Sequence, residues 1–452
     1  MAVFSVISII MVLFSYIALF FRFRFSTWIL VFPFTLILVK YLKECWHAVP
    51  YPNAVEVDLC IAASILVSSI VFFFAYYHTK TTFCETIAKK FFLLPNSLSS
   101  YCMKNSFKIV ILLGGIYLVL FWYSRIQLYG SFSEAAFAMY ATAPDIDVPP
   151  LSARLALYFF SFFALVASYR FFLCFSNENV QIKSIEWILV FLIVISHIST
   201  GNRGQVIKLP LFIFFTMLLV KAQINQKLLH VNYTHLKTIG LFLFGFFLFL
   251  MLSDVRKNKY ESFTEFYNDI NVTTFVEGGL IALQINENSE KEGGVSDTVA
   301  KSMQIYGNTQ PYLGLFYTPY VIATNLIPRE YWKSKPNGYG RQIVLDYYDL
   351  EDSRHSVGGG TFGEGYAAYG YIGGFFYTIL FALINGVATK FFVVLVNGAF
   401  DSIEYWIFGL GFYNISINFI RGDMLSSWAQ SVYPLLFFVI IIFSINFFSK
   451  RL

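Results

Sequence analysis

The chain has 452 residues, of which 57% are hydrophobic, 20% aromatic and only 13% charged. Soluble domains carry about 25% charged residues, so this composition excludes an ordinary soluble protein and predicts an all-α polytopic integral membrane protein. The formal net charge of +5 is modest for this length and does not indicate a nucleic-acid-binding protein.

Apolar blocks recur along the chain at about 18–22 residues, the length that crosses the hydrocarbon core of a bilayer as a helix. The first block lacks a basic start and a small-residue cleavage site, so it predicts a spanning helix rather than a removed signal peptide. We predict about eleven spans on this criterion. They are residues 3–21, 26–42, 55–77, 107–124, 153–175, 185–199, 206–221, 238–253, 367–396, 403–420 and 430–448.

The distribution of basic residues predicts the orientation of these spans. The link 78–106 is rich in lysine, which by the positive-inside rule places it in the cytoplasm. Alternation of the spans then places three hydrophilic elements on the outer face. These are the link 125–152, the turn 200–205 and the long segment 253–364.

The long hydrophilic segment is the largest connection in the chain. Connections of this length are usually functional or disordered, and recurring aromatic residues (YESFTEFY, YLGLFYTPY) favour order here. Residues 311–326 predict a short amphipathic or re-entrant helix at the membrane. The predicted division is eight spans in residues 1–253, a large outer loop in residues 254–364 and three spans in residues 365–452.

Three arginines occur at the predicted outer ends of spans. Arg203 lies in STGNRGQV, Arg256 in SDVRKNK and Arg421 in NFIRGDM. The planar guanidinium group suits bidentate binding of phosphate, and glycine beside Arg203 and Arg421 lets the backbone approach a ligand. Snorkelling to lipid headgroups is the alternative for any one of them. Three at one predicted depth favour a shared anion site.

The run RHSVGGGTFGEGYAAYGYIGG leads from the outer segment into the ninth predicted span. His355 titrates near neutral pH and is a candidate general base for a substrate hydroxyl. Glu364 is the second candidate, if partial burial raises its proton affinity. As an alternative, the first glycines form a flexible connection. The later ones, Gly370, Gly373 and Gly374, are expected to permit close helix packing.

Motifs for nucleotide or metal chemistry are missing from the sequence. There is no P-loop, G-x-S-x-G, H-E-x-x-H or dinucleotide fingerprint. The five cysteines form no C-x-x-C pair, and His197 inside a span is interpreted as a core residue rather than a ligand. We therefore predict no metal and no cofactor, and we expect the energy for any reaction to arrive in a lipid-linked phosphate substrate.

The second half of the chain, from about Ile185 to Leu452, resembles the O-antigen polymerase (Wzy) family. The shared features are the outward turn TGNRG, the large outer loop, its exit T-F-G-E-G-Y-x-x-Y-G-Y-I-G-G and the late FIRGD. The resemblance implies a GT-C-like, metal-independent glycosyltransferase in the bacterial inner membrane, with its active site facing the periplasm. Such enzymes transfer a growing glycan from undecaprenyl diphosphate to the next lipid-linked repeat unit.

In such a reaction, the candidate residues identified above would take individual roles. Arg203, Arg256 and Arg421 would hold the diphosphate, and His355 or Glu364 would act as the base. The expected partners are the undecaprenyl-diphosphate-linked oligosaccharide, membrane lipids and a polysaccharide chain-length regulator, with no nucleic acid. The second-rank candidates in and after the outer loop are Arg329, Arg341, Arg354 and Asp423.

Two alternatives remain open from the sequence. An O-antigen ligase uses the same donor chemistry and transfers the glycan to the lipid A core. A flippase or transporter of lipid-linked sugar would place charges or broken helices near the bilayer midplane, often in repeated halves. The predicted spans are nearly free of charge and show no repeat, which favours an enzyme.

Overall fold

The computed structural model describes residues 4, 6–12, 53–93, 96–137, 151–176, 181–199, 209, 213, 295–325, 327, 331–332, 334–348, 358–397, 403–419 and 424–449. Within these ranges the chain is mostly helical and has no strand. Four of the described helices are long and apolar enough to cross a membrane: Ala54–His78, Ser106–Tyr129, Leu155–Cys174 and Gly360–Leu395. An all-α protein with several apolar helices is thus confirmed, and the count of eleven spans stays a prediction.

The described helices are numbered here in chain order. Seven of them (α1, α4, α6, α7, α11, α12 and α14) fall on predicted spans. Predicted spans 26–42 and 238–253 lie outside the described residues, and spans 3–21 and 206–221 are described only in part. The helices are α1 Ala54–His78, α2 Thr81–Phe91, α3 Asn96–Lys104, α4 Ser106–Tyr129, α5 Phe132–Phe137, α6 Leu151–Ser176, α7 Ser184–Ser199, α8 Val295–Ile305, α9 Tyr317–Asn325, α10 Tyr339–Tyr348, α11 Gly360–Asn397, α12 Ile403–Phe419, α13 Met424–Ser427 and, after a π-helical turn at Trp428–Val432, α14 Tyr433–Ser449.

Contacts divide the chain into two compact units, residues 1–95 with 290–452, and residues 96–289. In the second unit, α4 packs against α6 and α7. Gly114 permits the close approach, because a Cβ atom there would lie 2.9 Å from the ring of Phe163 on α6. Near the other end of α4, Ser152 donates a hydrogen bond to Gln127, so α4 and α6 run antiparallel.

The core of the second unit contains His197 of α7. Its Nε2 atom lies 2.7 Å from the hydroxyl of Tyr117 on α4, and the Phe160 ring of α6 packs against the imidazole at 4.7 Å between centroids. With 4% of its surface exposed, His197 is a hydrogen-bonded core histidine, as the sequence interpretation has it.

A buried ion pair links α6 to the start of α7. Arg170 Nε lies 2.8 Å from Glu186 Oε1, and a second guanidinium nitrogen of Arg170 donates to the Gln181 carbonyl at 3.0 Å. The backbone N–H of Lys183 donates to the other oxygen of Glu186 at 2.8 Å. Both charges are almost fully covered by protein, so each depends on the other for compensation of its lost solvation.

Replacing Arg170 with methionine is expected to destabilise the protein by about 3–5 kcal/mol, because it leaves the Glu186 carboxylate buried without its cation. The double variant Arg170→Met, Glu186→Gln removes both charges and is expected to recover much of that loss. Thermal unfolding in detergent measures both effects.

A matched control for the ion pair is Lys301→Met on α8. Lys301 pairs with Asp297 one helical turn away, at 2.6 Å, and is more exposed than Arg170. Helix pairs of this kind contribute about 0.2–0.5 kcal/mol, so this variant should unfold close to wild type. Equal losses in Arg170→Met and Lys301→Met would contradict the special cost of the buried pair.

In the first unit, α1 and α11 lie side by side and run parallel. At one end the hydroxyl of Tyr371 donates to the carboxylate of Glu56. Further along, Gly386 faces α1, where a Cβ atom would lie 2.6 Å from the Cβ of Ala75. The predicted spans that correspond to these helices are the third and the ninth. Successive spans alternate in direction, so two odd-numbered spans are predicted to run the same way.

The helices α12 and α14 run antiparallel in the same unit. Gly411 of α12 packs against Leu435, and the Phe408 ring lies 5.1 Å from that of Phe438. The helix α2 is amphipathic. Its Cys84 is buried, and the following Phe92 stacks on Phe408 at 4.0 Å. These relative directions agree with alternating spans, whereas the side of the membrane stays a prediction.

The helix α11 is broken at Tyr369–Gly370, where Gly370 has φ 61° and ψ −152°. The break folds the first part of the helix back, because Gly365 contacts Gly373 closely enough that a Cβ on either glycine would overlap the other's carbonyl oxygen. In a straight helix, residues eight apart are about 12 Å apart. Residues 360–368, called here the folded-back arm, therefore pack against residues 371–397.

This break corrects the ninth predicted span, residues 367–396, which is not one straight helix from its start. The helix continuous with the membrane-crossing part begins at Tyr371 and is about 40 Å long. The expected role in close packing is confirmed for Gly373 and for Gly374, where a Cβ would lie 2.7 Å from the Phe362 ring of the arm. It is wrong for Gly370, which forms the break instead.

The end of the folded-back arm is capped by the extended segment before α9. The backbone N–H groups of Leu313 and Gly314 donate to the carbonyl oxygens of Ala367 and Ala368, both at 2.9 Å. These bonds satisfy carbonyl groups that have no partner within the helix once it breaks. The helix α9 then follows, within the range 311–326 predicted to hold a short helix.

Candidate functional site

Two of the site residues predicted from the sequence, Glu364 and Arg341, are among the residues that the structure describes. The candidate site is therefore built outward from them. The other predicted site residues lie outside the described residues: Arg203, Arg256, Arg329, Arg354, His355, Arg421 and Asp423.

Glu364 lies in the folded-back arm and has only 2% of its surface exposed. The hydroxyl of Thr318 on α9 donates to its Oε1 atom at 2.6 Å, and the backbone N–H of Met424 donates to its Oε2 atom at 3.1 Å. Burying a carboxylate is costly unless donors compensate for the lost water. These three residues, called here the Glu364 cluster, thus join α9, the arm and the start of α13.

The Glu364 cluster brings two separate sequence motifs together. Glu364 is the acid of T-F-G-E-G, and Met424 directly follows the F-I-R-G-D motif that contains Arg421 and Asp423. One hydrogen bond therefore joins the predicted base to Met424, the first residue of α13 and the residue that follows this motif in the sequence. The sequence gives each motif separately and does not predict their contact.

Arg341 lies in the first turn of α10, next to the same region. Three residues earlier, Gly338 packs against α13, since a Cβ on Gly338 would lie 2.9 Å from the Leu425 side chain. The Nε atom of Arg341 is buried and has no hydrogen-bond partner among the described residues. Of the second-rank arginines, Arg341 is thus placed within one helical turn of a contact with α13.

The helix α10 is held in place by α8. The hydroxyl of Tyr339 lies 2.7 Å from that of Ser302, and Tyr306 donates to Asp346 Oδ2 at 2.7 Å. Burial and the neighbouring Asp346 carboxylate raise the pKa of Tyr306, so its phenol stays protonated and donates across the physiological pH range. These hydrogen bonds pack α8 and α10 together within the described part of residues 253–364.

A second group of side chains surrounds the break in α11 and was not predicted. Tyr371 donates to Glu56, the Tyr312 ring lies 6.3 Å from that of Tyr369, and the three tyrosines and Glu56 are all exposed. These four residues are called here the tyrosine surface. Glu56 and Tyr371 are 315 positions apart, and no local sequence signal connects them.

Among the residues that the structure describes, no group of three histidine, cysteine, aspartate or glutamate side chains is arranged to hold a metal ion. Comparisons with protein-family models, with curated proteins and with solved structures found no match. The function is therefore inferred from the residues and their geometry.

Proposed function

We propose that the protein is a polymerase of undecaprenyl-diphosphate-linked oligosaccharide repeat units, acting at the periplasmic face of a bacterial inner membrane. The observation that carries the proposal is the bond from the Met424 N–H to Glu364, because it joins a candidate base to a residue only three positions after Arg421 in the sequence. A proton acceptor next to an anion-binding arginine is the pairing that glycosyl transfer from a lipid diphosphate requires.

In the proposed reaction, a hydroxyl oxygen of the acceptor repeat unit attacks the anomeric carbon of the donor glycan. The bond from that carbon to the diphosphate oxygen breaks, and the attack inverts the anomeric centre. The hydroxyl proton passes to His355 or Glu364, and undecaprenyl diphosphate leaves with the bonding electrons. Atoms and charge balance without a metal ion or a nucleotide.

Negative charge develops on the leaving diphosphate during this reaction. Arg203, Arg256 and Arg421 are proposed to bind it, because fixed donors aimed at developing charge stabilise a transition state by about 3–4 kcal/mol each. Arg341 is a further candidate, since its buried Nε has no hydrogen-bond partner among the described residues.

The flippase alternative gains no support from buried charge in the described spans, and the break in α11 lies beside the Glu56 end of α1 rather than midway along it. The buried charged residues of these spans lie at most about two turns from a helix end. A transporter is instead expected to have its substrate-coupling charges near the bilayer midplane. The buried charged residues are Asp58, Arg170, Glu186 and Glu404.

The proposal is tested with the purified protein in liposomes, supplied with the lipid-linked repeat unit extracted from the host and with EDTA present. A polymerase extends this substrate alone, so a ladder of lipid-linked multimers should appear on a gel. A ligase would transfer glycan only when lipid A core is added. Transport of the substrate across the bilayer without any chain growth would instead identify a flippase and overturn the proposal.

A further inference from the structure

The tyrosine surface combines aromatic rings that the protein leaves uncovered with one exposed carboxylate. Tyr369 is 53% exposed, Tyr312 42% and Tyr371 41%, and Glu56 is exposed in the first turn of α1. The ring of Tyr366 connects the group, since it lies 6.2 Å from the ring of Tyr312 and 5.2 Å from that of Tyr371. The bond between Tyr371 and the exposed Glu56 carboxylate distinguishes this group from other exposed rings that the structure describes.

The break in α11 creates this arrangement. Gly370 has φ 61°, in the left-handed region that favours glycine. A Cβ on it would approach the Tyr312 hydroxyl at 3.0 Å. Tyr369 lies at the break itself, whereas Tyr371 begins the helix that follows it. The two side chains are therefore attached to different structural elements.

The acid shows where this surface lies. An exposed carboxylate in contact with hydrocarbon is strongly unfavourable, so the end of α1 that carries Glu56 is at the membrane surface. Tyrosine alone is common at that depth, where its ring lies among headgroups. A belt of interfacial tyrosines does not require an acid. Here, however, the Glu56 carboxylate accepts a hydrogen bond from the Tyr371 hydroxyl.

We propose that the tyrosine surface binds a pyranose ring of the acceptor oligosaccharide, an inference that rests on the proposed function. A pyranose has an apolar C–H face that packs on an aromatic ring and hydroxyl groups at its edge that donate hydrogen bonds. The rings of Tyr369 and Tyr312 supply the first kind of contact. The Glu56 carboxylate, oriented by Tyr371, supplies the acceptor for the second.

The tyrosine surface lies close to the Glu364 cluster along two connected segments. Within the folded-back arm, Ala368 is four residues or about 6 Å from Glu364. The segment capping the arm carries Tyr312 just before it bonds to Ala368 and Thr318 just after. A sugar chain held at the tyrosine surface would thus lie next to the region proposed for the chemistry.

The test measures steady-state kinetics of Tyr369→Ala and Glu56→Gln in the liposome assay, with a preformed lipid-linked multimer as the saturating donor and the single lipid-linked repeat unit varied as the acceptor. Loss of one hydrogen bond to a charged group costs roughly tenfold in affinity, so Glu56→Gln should raise the acceptor KM by about that factor with kcat little changed. Tyr369→Ala should raise it similarly, and Tyr369→Phe, which keeps the ring, should restore it.

Tyr77→Ala is the matched control, because Tyr77 is an equally exposed tyrosine at the other end of α1. It should leave the acceptor KM at the wild-type value. If wild type makes polymer but all variants share its KM, the subsite is wrong and the polymerase proposal stands. If wild type makes no polymer, the proposed function itself fails. Equal losses of inserted protein in Tyr369→Ala and Tyr77→Ala, with unchanged KM, would identify a membrane anchor and overturn the subsite.

Discussion

Replacing Arg421 with alanine is expected to abolish the glycan ladder of the host and leave a single repeat unit on the lipid core. Removing one donor from a site that stabilises developing negative charge costs about 3–4 kcal/mol, or roughly a hundred- to a thousandfold in rate. Arg203→Ala should behave alike. Gel separation of the surface polysaccharide reads out the result, and a lipid core with no repeat unit would indicate a ligase.

Lysine at the same position separates charge from geometry. Arg421→Lys keeps the positive charge and loses one arm of the bidentate contact, a charge-assisted hydrogen bond of about 1.5–3 kcal/mol. It should retain a weak ladder. The control is Arg451→Ala near the chain end on the predicted inner face, which should give a normal ladder. Normal ladders in Arg421→Ala and Arg203→Ala would falsify the diphosphate-binding role.

The second large effect is expected from Gly373→Ala. Its new methyl group would overlap the backbone of Gly365, and backbone atoms cannot yield as a flexible side chain does. Overpacking of a well-packed contact costs about 1–3 kcal/mol, and here the arm has to separate from the helix. We expect a lower midpoint of thermal unfolding in detergent together with loss of polymer, because the arm carries Glu364.

Gly115→Ala on α4 is the control for this substitution. No atom lies within 4 Å of a Cβ built at Gly115, and alanine favours a helix over glycine by about 1 kcal/mol. This variant should unfold at or above the wild-type temperature and remain active. A Gly373→Ala protein as stable and active as Gly115→Ala would mean that the folded-back arm is not required.

The long apolar helices could be predicted from the sequence because their length alone matches the hydrocarbon thickness. Their relative directions follow from simple alternation. The break at Gly370 could not be predicted, since a glycine-rich apolar run is compatible both with a straight packed helix and with a sharp turn. Contacts from distant residues decide between them, chiefly the bonds from Leu313 and Gly314 to the end of the arm.

The candidate site was predictable only in part, for a similar reason. Glu364 is a candidate from the sequence because it is an acid in the glycine-rich run that leads into the ninth predicted span. Its partners Thr318 and Met424 carry no signal of their own, since one is an ordinary hydroxyl and the other acts through its backbone. The tyrosine surface depends on Glu56, a single acid far away in the chain.

The first compact unit is discontinuous along the chain, and this sets an order of assembly. At 5–20 residues per second, the roughly 300 residues between the end of the first segment and the end of α11 take about 15–60 s to synthesise. During that time α1 lacks its parallel neighbour, and lipid has to solvate its apolar sides. The buried acid of α1, Asp58, accepts a hydrogen bond from the backbone N–H of Phe4. Because Phe4 leaves the ribosome before Asp58, this bond can form as soon as α1 is made. The unit that is completed last can therefore start with the buried carboxylate of α1 already hydrogen-bonded.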